Sequence, residues 1–193
     1  MSRALFRPKE RIGLLGGSFN PAHGGHIHLS LEAKRRLKLD RIVWLLSPQN
    51  PLKSTQGMAP YETRLTFAQS LTQPQHFISV SNYEKQNQLY YSLDTITALQ
   101  HDYPKTHFVW LMGADNLVHF HQWRGWRSIM TRIPVAVFDR APFPKPCDAA
   151  ACSPLSPWFS LERPARANAG NTPPTRLGLL LYASSSPISH RAA

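Results

Sequence analysis

The stretch that decides the fold is Gly13–Leu37, which reads GLLGGSFNPAHGGHIHLSLEAKRRL. Its apolar start predicts a short buried strand over residues 12–17. Its second half predicts an amphipathic helix over residues 24–39, because apolar residues recur there at every fourth position: Leu29, Ala33 and Leu37. The turn between them is rich in glycine and histidine and has three alternative roles: it binds a metal, it binds a phosphate, or it has no ligand.

Strands and helices continue to alternate after this stretch. Apolar segments predict five further strands, at residues 42–46, 77–81, 107–115, 134–138 and 177–182. A helix that starts at Pro60 is expected to bury Tyr61, Leu65, Ala68 and Leu71. A second, capped by Ser92, buries Leu93, Ile96 and Leu99, and a short third covers residues 126–130. This order predicts an α/β, Rossmann-like fold, with a mostly parallel sheet and helices on both faces.

Length and composition predict one domain over residues 1–193. Residues 141–176 are rich in proline and lack sustained periodicity, so we expect an irregular excursion there, followed by a short, atypical C-terminus. The chain has no run of about 18 apolar residues and no secretory signal, so we expect a cytoplasmic protein without a membrane partner. Cys147 and Cys152 lack the spacing of a zinc or redox motif and are expected to be free thiols.

A net charge of +11 favours polyanionic partners, such as nucleic acid, acidic lipid or nucleotides. The densest basic cluster is Lys34–Arg36, on the predicted first helix. One short cluster is more typical of a solvated helix face than of a nucleic-acid footprint. The charge therefore does not favour a nucleic-acid partner over a nucleotide.

The glycine- and histidine-rich turn fits a phosphate better than a metal. His26 and His28 are two residues apart, so on a helix their side chains diverge, and no cysteine nearby completes a tetrahedral site. Gly16 and Gly17 permit close approach of a ligand and a positive φ. The helix that begins at residue 24 offers unpaired N–H groups to an anion, and histidines at that terminus can donate to phosphate oxygens.

The segment GGSFNPAHGGH resembles the signature of the nucleotidyltransferases whose motif is HxGH, here His23, Gly25 and His26. Further segments narrow the resemblance to the nicotinate-nucleotide adenylyltransferase family. SPQNPLKS is similar to its proline-rich loop that ends in a lysine, and YYSLDTI to its SYTxDT segment. MGADNLVHFHQWRGWRSI is similar to its GADxxxxFxxW run, and VFDRAP to the strand after it. The resemblance covers residues 11 to about 142.

The resemblance implies roles for individual residues. The expected catalytic residues are His23, His26 and Lys53. The ATP site is expected to comprise Gly16, Gly17, Ser18, Phe19, His23, Gly25, His26, Gly113, Asp115, Ser185, Ser186 and Arg191. The nicotinate mononucleotide site is expected to comprise Ser18, Lys53, Ser92, Asp94, Trp123 and Arg140. Trp123 follows a loop, which favours stacking on the pyridinium ring, whereas Trp126 is better explained as a core aromatic.

The implied reaction transfers AMP from ATP to nicotinate mononucleotide, giving nicotinate adenine dinucleotide and pyrophosphate, a step of NAD biosynthesis. The attacking group is itself a phosphate, so no protein nucleophile is needed. Two unit negative charges about 4 Å apart repel by about 4 kcal/mol at an effective dielectric of about 20, so the site must be positive. Mg²⁺ carried by ATP rather than by protein ligands, the helix N-terminus, His23, His26 and Lys53 are expected to supply that charge.

Two alternatives remain open: another HxGH adenylyltransferase, acting on nicotinamide mononucleotide or phosphopantetheine, and a basic nucleic-acid-binding protein. The C-terminus also departs from the family pattern SSTx(I/L)R. It reads SSSPISHRAA, with Pro187 after the serines and Ser189 in the place of the arginine. Arg191 substitutes for that arginine, or ATP binding is weakened, or this end has been altered by a frame change or truncation.

Overall fold

The computed structural model describes residues 6–49 and 56–138 and the backbone of residues 179–182. Its strands are β1 (Arg11–Gly17), β2 (Arg41–Leu46), β3 (Ile78–Ser81), β4 (His107–Gly113), β5 (Val135–Phe138) and β6 (Leu179–Tyr182). Its helices are α1 (Gly24–Leu37), α2 (Tyr61–Thr72), α3 (Tyr83–Gln86), α4 (Ser92–Asp102), α5 (Ala114–Phe120) and α6 (Trp126–Arg132). None of these helices is both long and apolar enough to cross a membrane.

The strands form one six-stranded sheet in the order β3-β2-β1-β4-β5-β6, and every neighbouring pair is parallel. The order reverses between β1 and β4, so the connections on either side of this point run in opposite directions along the sheet. In open parallel sheets such a reversal leaves a crevice beyond the carboxyl ends of the two central strands. The predicted α/β fold is confirmed, and the crevice adjoins the first glycine turn.

Helices cover both faces of the sheet, as predicted. One core lies between the sheet and the helices from α3 to α6, and contains Leu14, Val43, Trp110 and Ile96. The other lies between the sheet and the helices α1 and α2, and contains Leu15, Trp44, Leu29 and Ala68. Leu14 and Leu15 are adjacent residues of β1, so the alternation of side chains along a strand separates the two cores.

Two predictions about helices are corrected. In α2 the buried residues are Arg64, Ala68 and Thr72, whereas Tyr61, Leu65 and Leu71 are only partly buried, because an arginine held by backbone carbonyls occupies the inner face. In α4 the N-cap is Tyr91, with extended backbone, and Ser92 is the first helical residue rather than the cap. The helices α3, of four residues, and α5, of seven, were not predicted.

The predictions for residues 141–176, for Cys147 and Cys152, and for the C-terminal serines and Arg191 concern positions outside the described residues. The predicted last strand is described as β6, whose backbone pairs with β5 from Val135–Leu179 to Phe138–Tyr182.

Candidate active site

The crevice beyond β1 and β4 is a cleft of about 620 Å³. Its floor is the end of β1, from Leu15 to Gly17, together with Trp110 of β4. One wall is the turn that leads into α1 and carries His23 and His26. The opposite wall combines α3, the start of α4 and the loop before α6, and contributes Glu84, Tyr90, Tyr91, Ser92, Trp123 and Arg124.

The two histidines of the first wall fix each other's orientation. His23 is the N-cap of α1, and its Nδ1 accepts a hydrogen bond from the backbone N–H of Gly25 at 3.1 Å. The Nδ1 of His26 accepts one from the backbone N–H of His23 at 3.2 Å. This reciprocal pair is a capping box in which imidazoles take the places of the usual serine and glutamate. The HxGH spacing therefore satisfies two of the unpaired N–H groups at the start of the helix.

These hydrogen bonds also determine where the ring protons lie. An imidazole nitrogen that accepts a hydrogen bond carries no proton, so in both rings the proton is on Nε2. In this arrangement the Nε2 atoms of His23 and His26 are N–H donors, the role expected of histidines at this helix terminus. These N–H dipoles lie next to the positive end of α1.

An aromatic stack supports this wall from below. The Phe19 ring is stacked on Trp44 of β2, with centroids 4.8 Å apart and an interplanar angle of 10°. The centroid of the His26 ring lies 4.9 Å from that of Phe19. The indole N–H of Trp44 donates to Ser30 Oγ, which in turn donates to the carbonyl of His26. The contacts between α1 and β2 thus fix the position of His26 relative to the sheet.

Gly16 is required for space rather than for its backbone conformation. A Cβ atom on Gly16 would lie 2.8 and 2.9 Å from two ring carbons of Trp110. Neither Gly16 nor Gly17 uses the positive φ that glycine permits; the positive φ of this turn, 46°, is that of Phe19. A Cβ on Gly17 would meet only Phe19, at an ordinary contact distance of 3.4 Å. The floor of the cleft therefore depends on the absence of a side chain at Gly16.

Arg64 of α2 ties the loops beside the cleft together, a role that no sequence pattern predicted. It is 3% exposed and donates to four backbone carbonyls, those of Ser18, Ser47, Pro48 and Ala59. Burial lowers the pKa of its guanidinium, and the Tyr61 hydroxyl acts in the opposite direction. These carbonyls follow β1, follow β2 and precede α2, so one side chain holds three chain segments in place.

On the opposite wall the start of α4 opens towards the cleft. Tyr91 and Ser92, at the N-terminus of this 11-residue helix, line the cleft, so the positive end of a second helix faces it. Asp94 does not line the cleft. It accepts hydrogen bonds from Arg124, which does line the cleft and whose guanidinium lies 4.0 Å from the centre of the Tyr91 ring.

Trp123 lies beside the cleft as an edge-on partner of two buried rings. Its ring centroid is 5.3 Å from that of Phe120 and 6.3 Å from that of Trp110, with interplanar angles of 70° and 88°. This packing fixes the indole while leaving it partly exposed on the wall. Trp126 is also only partly buried; it packs against the same core through Phe120 and does not line the cleft, so it lies at the edge of the core to which it was assigned.

Glu84 is the buried carboxyl group of the second wall. It is 6% exposed, and its Oε1 accepts a hydrogen bond of 2.9 Å from the hydroxyl of Thr95. Burial raises the pKa of Glu84 to about 7, and the hydrogen bond from Thr95 only partly offsets this. Near neutral pH a substantial fraction of this carboxyl is therefore protonated.

The structure brings most of the described residues of the predicted site together. Those that line the cleft are Gly16, Gly17, Ser18, Phe19, His23, His26, Ser92, Asp115 and Trp123. Three others do not line it but lie within two residues of one that does: Gly25, Gly113 and Asp94. The remaining five are outside the described residues: Lys53, Arg140, Ser185, Ser186 and Arg191.

Several lining residues were not predicted: Tyr90, Tyr91, Asn116, Gln122, Arg124 and Glu84. All except Glu84 lie within two positions of a residue that was singled out, so widening the motifs by that much would have found them. Glu84 gives no such signal, because its burial depends on how α3 packs. In the described part of the chain, no group of three or more His, Cys, Asp or Glu side chains is arranged to hold a metal ion.

The chain is similar to known proteins. The model of the cytidylyltransferase-like family matches residues 14–172. A protein of Parvibaculum lavamentivorans named probable nicotinate-nucleotide adenylyltransferase is 48% identical over 141 residues, which are 73% of this chain and 70% of that protein. A protein of Roseobacter denitrificans with the same name is 45% identical over 163 residues, or 84% of this chain and 79% of that protein.

Solved structures show the same fold. Two structures of nicotinic acid mononucleotide adenylyltransferase from Plasmodium falciparum, one complexed with APC and one with NaAD, have TM-scores of 0.65 and 0.67. Each similarity covers 92% of this chain and 76% of the other chain, at 12% and 13% sequence identity. At this identity the similarity concerns the Rossmann-like fold alone.

Proposed function

Since this chain belongs to the cytidylyltransferase-like family, and within it to the nicotinate-nucleotide adenylyltransferases, we propose that it transfers AMP from ATP to nicotinate mononucleotide. A phosphate oxygen of the mononucleotide attacks the α-phosphorus of ATP, the bond from that phosphorus to the bridging oxygen breaks, and pyrophosphate leaves. The products are nicotinate adenine dinucleotide and pyrophosphate, so the enzyme acts in NAD biosynthesis.

The observation that carries this proposal is the capping box of His23 and His26 at the edge of the cleft. Its hydrogen bonds place the ring protons on Nε2, next to the N-terminus of α1, where a polyphosphate finds several N–H donors at once. Donors fixed before the substrate arrives stabilise the charge that develops on the phosphate oxygens in the transition state. Gly16, Gly17 and Ser18 are proposed to contribute backbone to the same site, and Gly25 takes part through the hydrogen bond from its N–H to His23.

The other residues of the predicted ATP site are assigned from their positions in the fold or from the family pattern. Asp115 lies in the first turn of α5, two residues after Gly113 at the end of β4, and its carboxylate can accept hydrogen bonds from nucleotide hydroxyls. Phe19 is 2% exposed and stacked on Trp44, so its proposed role is to support the site by packing. Ser185, Ser186 and Arg191 are proposed to close the site on the triphosphate, on the basis of the family pattern.

The second wall is proposed to hold the acceptor. Trp123 offers a fixed indole to the cationic pyridine ring, a contact worth on the order of 0.5–2 kcal/mol. The N-terminus of α4 at Ser92 and the guanidinium of Arg124 offer N–H donors to its anionic groups. Asp94 takes part through Arg124. Lys53 and Arg140 are proposed to add positive charge to the acceptor phosphate.

Mg²⁺ is proposed to arrive with ATP. This ion is commonly held by substrate phosphates, water and one or two carboxylates rather than by a cage of protein ligands, and it neutralises charge on the triphosphate. A cytoplasmic location is proposed as well, because both substrates are multiply charged and do not cross a bilayer unaided.

A pyrophosphate-release assay tests the function. The protein is supplied with ATP, Mg²⁺ and either nicotinate mononucleotide or nicotinamide mononucleotide. We expect Mg²⁺-dependent release with a preference for the acid. Release only with the amide would favour the related adenylyltransferase, and no release with either substrate would overturn the proposal. Steeply salt-dependent binding to DNA without pyrophosphate release would favour the nucleic-acid alternative.

A further inference from the structure

The turn after β1 contains a residue in a strained backbone conformation. Phe19 has a φ of 46°, in the left-handed region that residues other than glycine rarely adopt, and its side chain is 2% exposed. Such a conformation persists only where the surrounding structure determines it, and it is often found beside a ligand site. Every residue from Ser18 to Pro21 lines the cleft. The contacts that hold this turn therefore determine part of the shape of the cleft.

Asn20, the residue after Phe19, connects the turn to the segment that precedes α2. Its Nδ2 donates to the carbonyl of Gly57 over 3.2 Å, and its Oδ1 accepts from the backbone N–H of Ala59 over 3.1 Å. These partners lie 37 and 39 positions further along the chain. Because the amide donates and accepts at once, it fixes the orientation of the turn relative to this segment as well as their separation.

Arg64 makes a second connection between the same two segments. Its Nε donates to the carbonyl of Ala59 over 3.1 Å, and its Nη1 donates to the carbonyl of Ser18. The backbone of Ala59 is thus held on both sides, at its N–H by Asn20 and at its carbonyl by Arg64. Ser18 and Asn20 flank Phe19, so the strained residue is anchored on each side.

We propose that Asn20 is a positioning residue of the adenylyl transfer, which together with Arg64 holds the turn from Ser18 to Asn20 in the shape that the phosphates require. The inference rests on the proposed function and deepens it, since Ser18 is proposed to contribute backbone to the phosphate site. Groups that are fixed before the substrate arrives stabilise a transition state best, and a displacement of about 1 Å can cost about 10²-fold in rate.

The exposure of Asn20 makes this role testable. Its side chain is exposed, so its hydrogen bonds compete with water and add little to the free energy of unfolding. Removing them is therefore expected to alter the alignment of the turn while the protein remains folded. A residue that served stability alone would change the melting temperature before it changed the rate.

The experiment measures steady-state pyrophosphate release and thermal melting of the wild type, Asn20→Ala, Asn20→Asp and Asn87→Ala. Alanine removes both hydrogen bonds, whereas aspartate keeps an oxygen that accepts from Ala59 and loses the donor to Gly57. Asn87→Ala is the matched control. Asn87 is also exposed and also donates from Nδ2 to a backbone carbonyl, that of Tyr83, but it does not line the cleft.

Asn20→Ala is expected to lower kcat about tenfold, a partial loss because Arg64 still holds the turn, and to change the KM for ATP less than about threefold. Its melting temperature should stay close to that of the wild type. The kcat of Asn20→Asp should lie between those of Asn20→Ala and the wild type, and Asn87→Ala should keep the wild-type kcat. A wild-type kcat in Asn20→Ala, or an Asn20→Asp rate no higher than that of Asn20→Ala, would overturn the inference.

A double-mutant cycle on kcat separates positioning from direct contact with the substrate. If Asn20 and Arg64 hold the same turn, the effect of Asn20→Ala combined with Arg64→Lys should differ at least about threefold from the product of the single effects. Simple multiplication of the two effects would show that Asn20 acts independently of the turn, and would overturn its assignment as a positioning residue. If the wild type releases pyrophosphate and the Asn20 variants match it, the proposed function stands alone; if the wild type releases none, both proposals fail.

Discussion

The guanidinium of Arg124 donates to both carboxylate oxygens of Asp94 over 2.6 Å. It lies at the same time over the ring of Tyr91, so the loop before α6 is fixed to the start of α4 by a charged and an aromatic contact. Both residues of the ion pair are partly exposed, and such pairs contribute about 0.2–1 kcal/mol to stability. The ion pair therefore serves more to position the loop before α6 against α4 than to stabilise the fold.

Arg124→Ala is expected to raise the KM for the mononucleotide about tenfold while the melting temperature changes little, because a tenfold change corresponds to about 1.4 kcal/mol of binding and the ion pair is exposed. Steady-state kinetics and thermal melts measure the two effects. Arg127→Ala is the matched control, since Arg127 is close by on α6, contacts Trp126 and does not line the cleft. An unchanged KM in the Arg124 variant would contradict a role in acceptor binding.

His26→Ala is expected to lower kcat by about 10²–10³, by analogy with the loss of one oxyanion-hole donor. It should also lower stability by about 1 kcal/mol, because the capping box loses its reciprocal hydrogen bond. His26→Gln separates the two effects, since glutamine at this position can accept the same N–H while lacking the imidazole. A glutamine variant with a near-normal rate would show that His26 serves the helix and not the reaction.

Gly16→Ala is expected to destabilise the protein by about 1–3 kcal/mol and to distort the floor of the cleft, because the new Cβ overlaps the Trp110 ring. Gly17→Ala, one residue on, should be nearly neutral. Adding Trp110→Phe to Gly16→Ala is expected to recover part of the lost stability, as the smaller ring removes the overlap. Urea unfolding of the wild type, Gly16→Ala, Trp110→Phe and the double variant forms a double-mutant cycle. Strictly additive changes in the free energy of unfolding would contradict the overlap.

Arg64→Lys is expected to lower stability by about 1–3 kcal/mol. An ammonium group cannot reproduce the planar fork that reaches four carbonyls, so some of them would be left unsatisfied. Activity should fall as well, since the Ser18 backbone loses its anchor. The control is Lys85→Arg, the reverse exchange at an exposed position of α3, which should leave stability nearly unchanged. Equal stability of Arg64→Lys and the wild type in urea unfolding would show that the hydrogen bonds are replaceable.

The raised pKa of Glu84 predicts how the free energy of unfolding depends on pH. Its pKa is raised by burial from 4.5 to about 7, so the folded state binds the proton more tightly than the unfolded state. The resulting stabilisation is fully present below about pH 4.5 and is lost as pH rises through 7; it amounts to about 3 kcal/mol at most. The free energy of unfolding of Glu84→Gln should increase relative to that of the wild type between about pH 5 and about pH 8. A constant difference would contradict the raised pKa.

The sequence predicted the fold because the strands are short apolar segments and the long helices have a clear period. The bounds of β1, α1 and β2 agree with prediction within two residues. Most of the candidate site was also predicted, because residues such as His23, Ser18 and Asp115 follow the strands closely and so reach the same edge of the sheet. Their place there is a consequence of parallel topology.

Contacts between distant segments could not be predicted in this way. The burial of Arg64 depends on three carbonyls 16 or more residues away, and no local pattern marks them. The space needed at Gly16 is set by Trp110, on a neighbouring strand. The perturbed acid at Glu84 depends on the packing of α3 against α4. A motif identifies the residues of a site, whereas their protonation and support come from tertiary structure.

The two walls of the cleft also differ in how far along the chain their contacts reach. The histidine pair is joined by residues three positions apart, whereas Arg124 and Asp94 are 30 positions apart. The wall proposed for the donor phosphates is thus formed by one continuous segment, whereas the wall proposed for the acceptor is assembled from segments far apart in the chain. A substitution on the second wall can therefore alter acceptor binding without disturbing the hydrogen bonds that orient the two histidines.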